Sequence, residues 1–255
     1  MSEGLHAAAP EVSAPATGLN QLERVVDTFT APAKTFTDIL RSASWWLPYL
    51  LALALGMAFA FTAVQKIGYE KMADGVIAQS PSLENEVNSS TPAIAAQMHA
   101  AIERQFEYAI YATPVLILLV ALLCAGIFMA TVNFGMGGEA TYGRLLAVWF
   151  YGTLPLALTS ILAVVAIFAG LGEDQFNMQN PVGTNIGFYL GSETPRWLKG
   201  FLDSVDIFAI WSAFLLTIGV SIVGKVKRSS AAACVFGWWI VYVLVLKVAI
   251  PAMRG

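Results

Sequence analysis

Five stretches of the chain carry no Asp, Glu, Lys or Arg: those between Arg41 and Lys66, Glu107 and Glu139, Arg144 and Glu173, Asp206 and Lys225, and Arg228 and Lys247. Each is about as long as, or longer than, the 17 to 20 residues with which a helix crosses the hydrocarbon core of a bilayer. The pattern predicts transmembrane helices over about 44–65, 108–132, 143–170, 206–224 and 231–250, the last two being the shortest. Ahead of the first span, Leu22, Val25, Val26 and Phe29 recur at i, i+3, i+4 and i+7, and after Ala31-Pro32 the set Phe36, Ile39 and Leu40 repeats the pattern. Residues 21–43 are therefore expected to form short amphipathic helices, lying along the membrane interface or packed on the end of the bundle. The fold class is all-α: a polytopic membrane protein with five transmembrane helices plus short amphipathic N-terminal helices.

The connections have their own signals. Ser80-Pro81 and Thr91-Pro92 each place a capping residue before a proline at a first helical position, and the second helix is expected to run from Thr91 into the second span. Residues 171–205 are rich in turn formers and read as an ordered or semi-ordered loop. Residues 1–20 are Ala/Pro/Ser-rich, with neither a charged n-region nor an apolar h-region, and read as a disordered tail; 251–255 form a short C-terminal tail. Pro155, well inside the third span, is expected to kink it.

Composition strengthens the membrane reading. Of 255 residues, 57% are hydrophobic and 12% charged, and the mean hydropathy is +0.67. So few charges cannot make a water-facing exterior. A net charge of −3 offers no footprint for nucleic acid. Cys124 and Cys234 lie within apolar runs and read as small core residues. Basic residues divide evenly between the two sides, but the dense cluster Lys225, Lys227 and Arg228 sits in a short loop and belongs inside by the positive-inside rule. That sets the N-terminus in the cytoplasm and the C-terminus outside.

Chemistry is sparse. "GMGGEATYGR" contains G-x-G-x-x-A, but a long apolar run precedes it and no acid follows at dinucleotide-fold spacing, so its glycines read as a tight turn between spans two and three. His6 and His99 stand alone, and no metal, nucleophile or cofactor motif appears, so no cofactor and no enzymatic activity are expected. Asp203 and Asp206, three apart, have two readings: a shallow cation or proton site, or a hydrated helix start favoured by the dipole.

Four stretches in order carry a resemblance: "FTAPAKTFTDIL" (Phe29 to Leu40), "GMGGEATYGRLLAVWFYGTLP" (Gly135 to Pro155), "LDSVDIFAIWSAFLLTIGVSI" (Leu202 to Ile222) and "KRSSAA" (Lys227 to Ala232). They make the chain similar to the Yip1 family of five-span membrane proteins, over about residues 28–247 and a domain of 44–250. The resemblance implies a cytoplasmic N-terminus and a role in organising membranes or binding membrane proteins. Eukaryotic members bind prenylated small GTPases; their Tyr/Gly/Pro motif is replaced here by "FTAP", which argues against GTPase binding and makes the chain more similar to the bacterial branch of the cytoplasmic (inner) membrane. The expected function is a non-enzymatic scaffold, with a small-solute or ion transporter as the alternative. Expected partners are the lipid bilayer and other membrane proteins or a second copy. The candidate partner-binding or structural residues are Pro32, Phe36, Gly137, Gly138, Glu139, Arg144, Pro155, Asp206, Trp211, Lys225, Lys227 and Arg228.

Overall fold

The computed structural model describes residues 18–170, 177, 178, 180–191 and 194–253. The tail up to Thr17, with His6, and parts of the 171–205 loop lie outside the described residues, as do the last two residues of the chain. Among the described residues there is no strand, only one isolated bridge between Asn185 and Asp206.

Two short helices come first. α1 (Gln21–Thr30) opens on a capping box: the Asn20 side chain accepts from the Glu23 N–H at 2.9 Å, and the Glu23 carboxylate accepts from the Asn20 N–H at 2.8 Å. α2 (Pro32–Ile39) starts on Pro32, where a missing N–H costs no hydrogen bond. α3 (Trp46–Lys66) is the first span. α4 (Tyr69–Ala78) and α5 (Pro81–Ser89) follow, the latter capped by the Ser80 hydroxyl, which accepts from the Leu83 N–H at 3.3 Å.

α6 (Pro92–Ala130) runs unbroken into the second span, as its Thr-Pro start predicts, and ends in a π-helical turn over Thr131–Gly135. Its far half carries α4, with His99 Nδ1 3.4 Å from Asp74 Oδ1. The third span is α7 (Tyr142–Gly152) followed by α8 (Leu154–Phe168), interrupted at Thr153 because Pro155 has no N–H to donate and its ring crowds the preceding turn. After a 3₁₀ turn at Gly187–Tyr189 come α9 (Arg196–Ser204) and the fourth span, α10 (Ile207–Gly224). The fifth span is α11 (Arg228–Tyr242), a π-helical stretch over Val243–Ala249 and α12 (Ile250–Met253). The five charge-free stretches thus correspond to five helical spans long and apolar enough to cross a membrane.

α10 is the axis of the bundle, packed by α2, α7, α8 and α11. Half of its most apolar stretch (50%) is buried, against 17% in the first and fifth spans. Small residues permit this: a Cβ at Gly152 would stand 2.6 Å from Leu216 Cδ2, and one at Gly219 would stand 2.6 Å from Val148 Cγ1. Leu145, Val148, Val220 and Val223 are fully enclosed between α7 and α10, together with Phe36 and Ile39 of α2. On the far side, Phe59, Ala63, Met72, Ala163, Ile167 and Val182 form a second cluster that joins the ends of α3 and α8 to the connecting segments. Leu119 and Leu123 of α6 and Leu244 and Leu246 of the fifth span remain exposed, the arrangement of side chains that face acyl chains.

Candidate functional site: the loop face beside the amino-terminal helices

α1 and α2 form a hairpin whose inner surface is polar at one level and apolar at the next. Arg24, 1% exposed, donates from Nε to Asp38 Oδ2 at 2.7 Å and from Nη1 to the Ser42 carbonyl at 2.9 Å. The Thr28 and Thr35 hydroxyls both donate to the Arg24 carbonyl, at 2.7 and 3.0 Å. Burial opposes the charge on Asp38, but hydrogen bonds from Arg41 and Arg24 outweigh it and hold the carboxyl below the usual aspartate range. Outward, Leu22 and Val26 stay exposed, so part of the apolar stripe on α1 faces away from the bundle.

The hairpin lies along α10. Phe36 is fully buried, and a Cβ at Gly219 would meet its ring at 3.0 Å. Phe29, just before the half-buried Pro32, meets Trp211 edge-on with centroids 5.5 Å apart. Phe36 and Trp211 therefore belong to one packing unit between the hairpin and the fourth span, whereas Pro32 serves as the first residue of α2. Arg144 ties this unit to the loops, donating from Nη2 to the Leu40 carbonyl at 2.9 Å.

A second unit joins the loop between spans two and three to the loop between spans four and five. Gly137 takes φ +67°, which a side chain disfavours. Gly138 comes so close to the other loop that a Cβ there would lie 2.7 Å from the Gly224 carbonyl oxygen. The Glu139 N–H donates to that same carbonyl at 3.2 Å, and Lys225, itself at φ 54°, donates from Nζ to Glu139 Oε2 at 2.6 Å. The Lys225 ammonium, as hydrogen-bond donor and nearby charge, draws the Glu139 carboxyl below the usual range. Asn133 closes the turn by exchanging two hydrogen bonds with the Ala140 backbone, both 2.9 Å. Lys227 and Arg228 are exposed beside this bridge, as is Phe134, 90% exposed. "GMGGEA" is a turn docked on another loop, consistent with its reading as a connection.

Two residues singled out from the sequence lie apart. Pro155 is buried at the break of the third span. Asp206 is at the opposite end of α10, where Oδ1 caps the helix by accepting from the Phe208 and Ala209 N–H groups at 2.9 and 3.0 Å, and Oδ2 accepts from the Thr184 hydroxyl. Asp203 accepts from Asn180 Nδ2 at 2.9 Å, with Lys199 Nζ at 3.8 Å. Burial pushes its carboxyl above the usual range against the pull of Lys199 and Lys247. Asp206 therefore caps a helix start, whereas Asp203 lies in the last turn of α9, so the two acids do not share one helix face. Among the described residues no group of three or more His, Cys, Asp or Glu side chains converges.

Arg24, Asp38, Thr28, Thr35 and Phe134 carry much of this face but were not singled out from the sequence. The i, i+4 pair Arg24/Thr28 and the i, i+3 pair Thr35/Asp38, each on one side of a short helix, were the available signal.

A family model described as Yip1 domain matches residues 26–250. No curated protein and no solved structure matches the chain.

Proposed function

Since the chain belongs to the Yip1 domain family, we propose that this multi-pass membrane protein is a non-enzymatic scaffold that binds other membrane proteins through residues 22–43, 133–144 and 225–230. Its cellular setting on this reading is a bacterial cytoplasmic membrane, with the N-terminus inside and the C-terminus outside. The observation that carries the proposal is the bridge of Gly138 and Glu139 to Gly224 and Lys225. Together with the Arg144 tie to Leu40, it makes one surface of three distant segments and fixes it before any partner arrives, which lowers the ordering cost of association. Exposed Phe134, Lys227 and Arg228 supply an aromatic anchor and solvent-facing positive charge on that surface.

Photo-crosslinking in native membranes tests the reading. A photoreactive residue at position 134 or 227 is expected to give discrete protein adducts, which the Arg228→Glu change should diminish while the melting temperature in detergent stays the same. Adducts to lipid alone at both positions, or adducts unaffected by the charge reversal, would overturn it.

A further inference from the structure

α9 is an amphipathic helix turned inside out for a helix on a water-facing loop. Trp197 and Phe201, one turn apart, are 45% and 41% exposed. Two of its three charged side chains turn inward: Lys199 donates from Nζ to the Gly187 carbonyl at 2.8 Å, and Asp203 accepts from the nearly buried Asn180. The adjoining 3₁₀ turn repeats the pattern, with Ile186 and Tyr189 at 52% and 74% exposure. An aqueous loop places its aromatics inward and its charges outward; this one does the reverse.

The length of the fourth span explains where this segment sits. Leu216 packs at Gly152 and Gly219 at Val148, so α10 and the third span run antiparallel. By the helical rise, Ile207 comes level with about residue 161 of α8, roughly 10 Å short of the end of that helix. The eighteen residues of α10 extend about 27 Å, less than the hydrocarbon thickness of about 30 Å. Residues 180–191 and α9 lie in the space beyond its start. Val182 packs with Ala163 and Ile167, the Ile207 N–H donates to the Thr184 carbonyl at 3.2 Å, and α9 lies on the π-helical end of the fifth span so closely that a Cβ at Gly200 would collide with the Lys247 carbonyl. Beside these junctions Ile210 and Phe214 of α10 and Leu244 and Leu246 of the fifth span are exposed as well. An open groove of about 470 Å³ lies between the turn and α10, with Gly183, Thr184 and Asn185 at one part of its wall and otherwise apolar side chains such as Ile186, Leu190 and Ile210.

We propose that α9 and the 186–190 turn are embedded in the bilayer leaflet at the Asp206 end of α10, away from the loops that meet at Gly138 and Gly224, completing the short fourth span, with the groove occupied by a lipid acyl chain. Polar side chains in that leaflet are tolerable because Asn180, Asn185, Lys199 and Asp203 bond one another, and Lys199 also takes up the Gly187 carbonyl. The proposal depends on the span geometry and stands or falls separately from the scaffold role.

Spin labels on single cysteines, in a Cys124→Ala/Cys234→Ala background, test it in phosphatidylethanolamine/phosphatidylglycerol vesicles with a water-soluble nickel complex on both sides. Phe201→Cys is expected to show an oxygen-to-nickel accessibility ratio matching Val245→Cys on the lipid face, and about tenfold above exposed Lys227→Cys, because the polar complex is excluded from hydrocarbon. Tyr189→Cys provides the same reading should the Phe201 variant fail to fold. High nickel access at these positions means an aqueous loop, and exclusion of both reagents means that protein, such as a second copy of the chain, covers the surface. Either result overturns the proposal.

Discussion

Arg24 is the residue on which the hairpin turns. Its guanidinium is enclosed, and four polar groups, from Asp38, Ser42, Thr28 and Thr35, are arranged around its side chain and carbonyl. Removing one member of a buried pair costs about 3–5 kcal/mol when the other charge is left alone; here Asp38 keeps Arg41 as a partner, which places the cost at the low end. Arg24→Ala is therefore expected to be destabilised by about 3 kcal/mol or to release the hairpin from α10, whereas Arg24→Met combined with Asp38→Leu loses less than the single change. Thermal melting in detergent, with hydrogen exchange over residues 21–39, distinguishes these outcomes. Asp38 also sets a pH dependence. Its folded pKa lies below the unfolded value, so its contribution is complete above the ordinary aspartate pKa of about 3.9 and is lost as pH falls through the folded value. Exchange protection of the hairpin should hold from neutral pH down to about 4 and decline progressively below it, and Asp38→Asn should abolish that step. In the sequence Arg24 is one positive charge among fourteen, and its spacing to Thr28 is too weak a local signal to separate a buried arginine from a solvated one.

At the level of elements, what could be read from the chain was what local chemistry decides. Gaps between charges located the spans, and Ser80-Pro81 and Thr91-Pro92 marked the starts of α5 and α6. Pro155 marked the break between α7 and α8. The helix α9 was not legible within the 171–205 loop: nine residues are too few to hold a helix by propensity, and packing on Val243–Ala249 decides it. The same holds for the bridge at Gly138 and Gly224, eighty-six positions apart in their ion-paired neighbours Glu139 and Lys225. Ser80→Ala tests a locally encoded element. Loss of its cap costs about 1 kcal/mol, expected as faster hydrogen exchange confined to 81–89 with the spans unaffected.

For the whole molecule, α10 is the common partner of the hairpin, the third span and the fifth, and the loops following Gly135 and Gly224 meet at one end. Labelling of single cysteines at 137 and 227 with an impermeant maleimide in intact cells should therefore give the same result for both, protected under the N-in orientation, while position 71 is labelled. Labelling of 137 and 227 from outside would invert the orientation but keep the pairing; a split between them would refute the bundle.

The thirty-nine residues of α6 join the Asn133 turn at one end to His99 and Asp74 at the other without a loop to absorb error. Deleting a single residue from its middle swings everything beyond through about 100° and shortens the rod by about 1.5 Å, turning His99 off α4. Removing seven restores the azimuth to within about 20° but draws α4 inward by about two helical turns. The rod works as a phase gauge between the two sides of the bilayer, so its length is far less free to vary than the loops it connects.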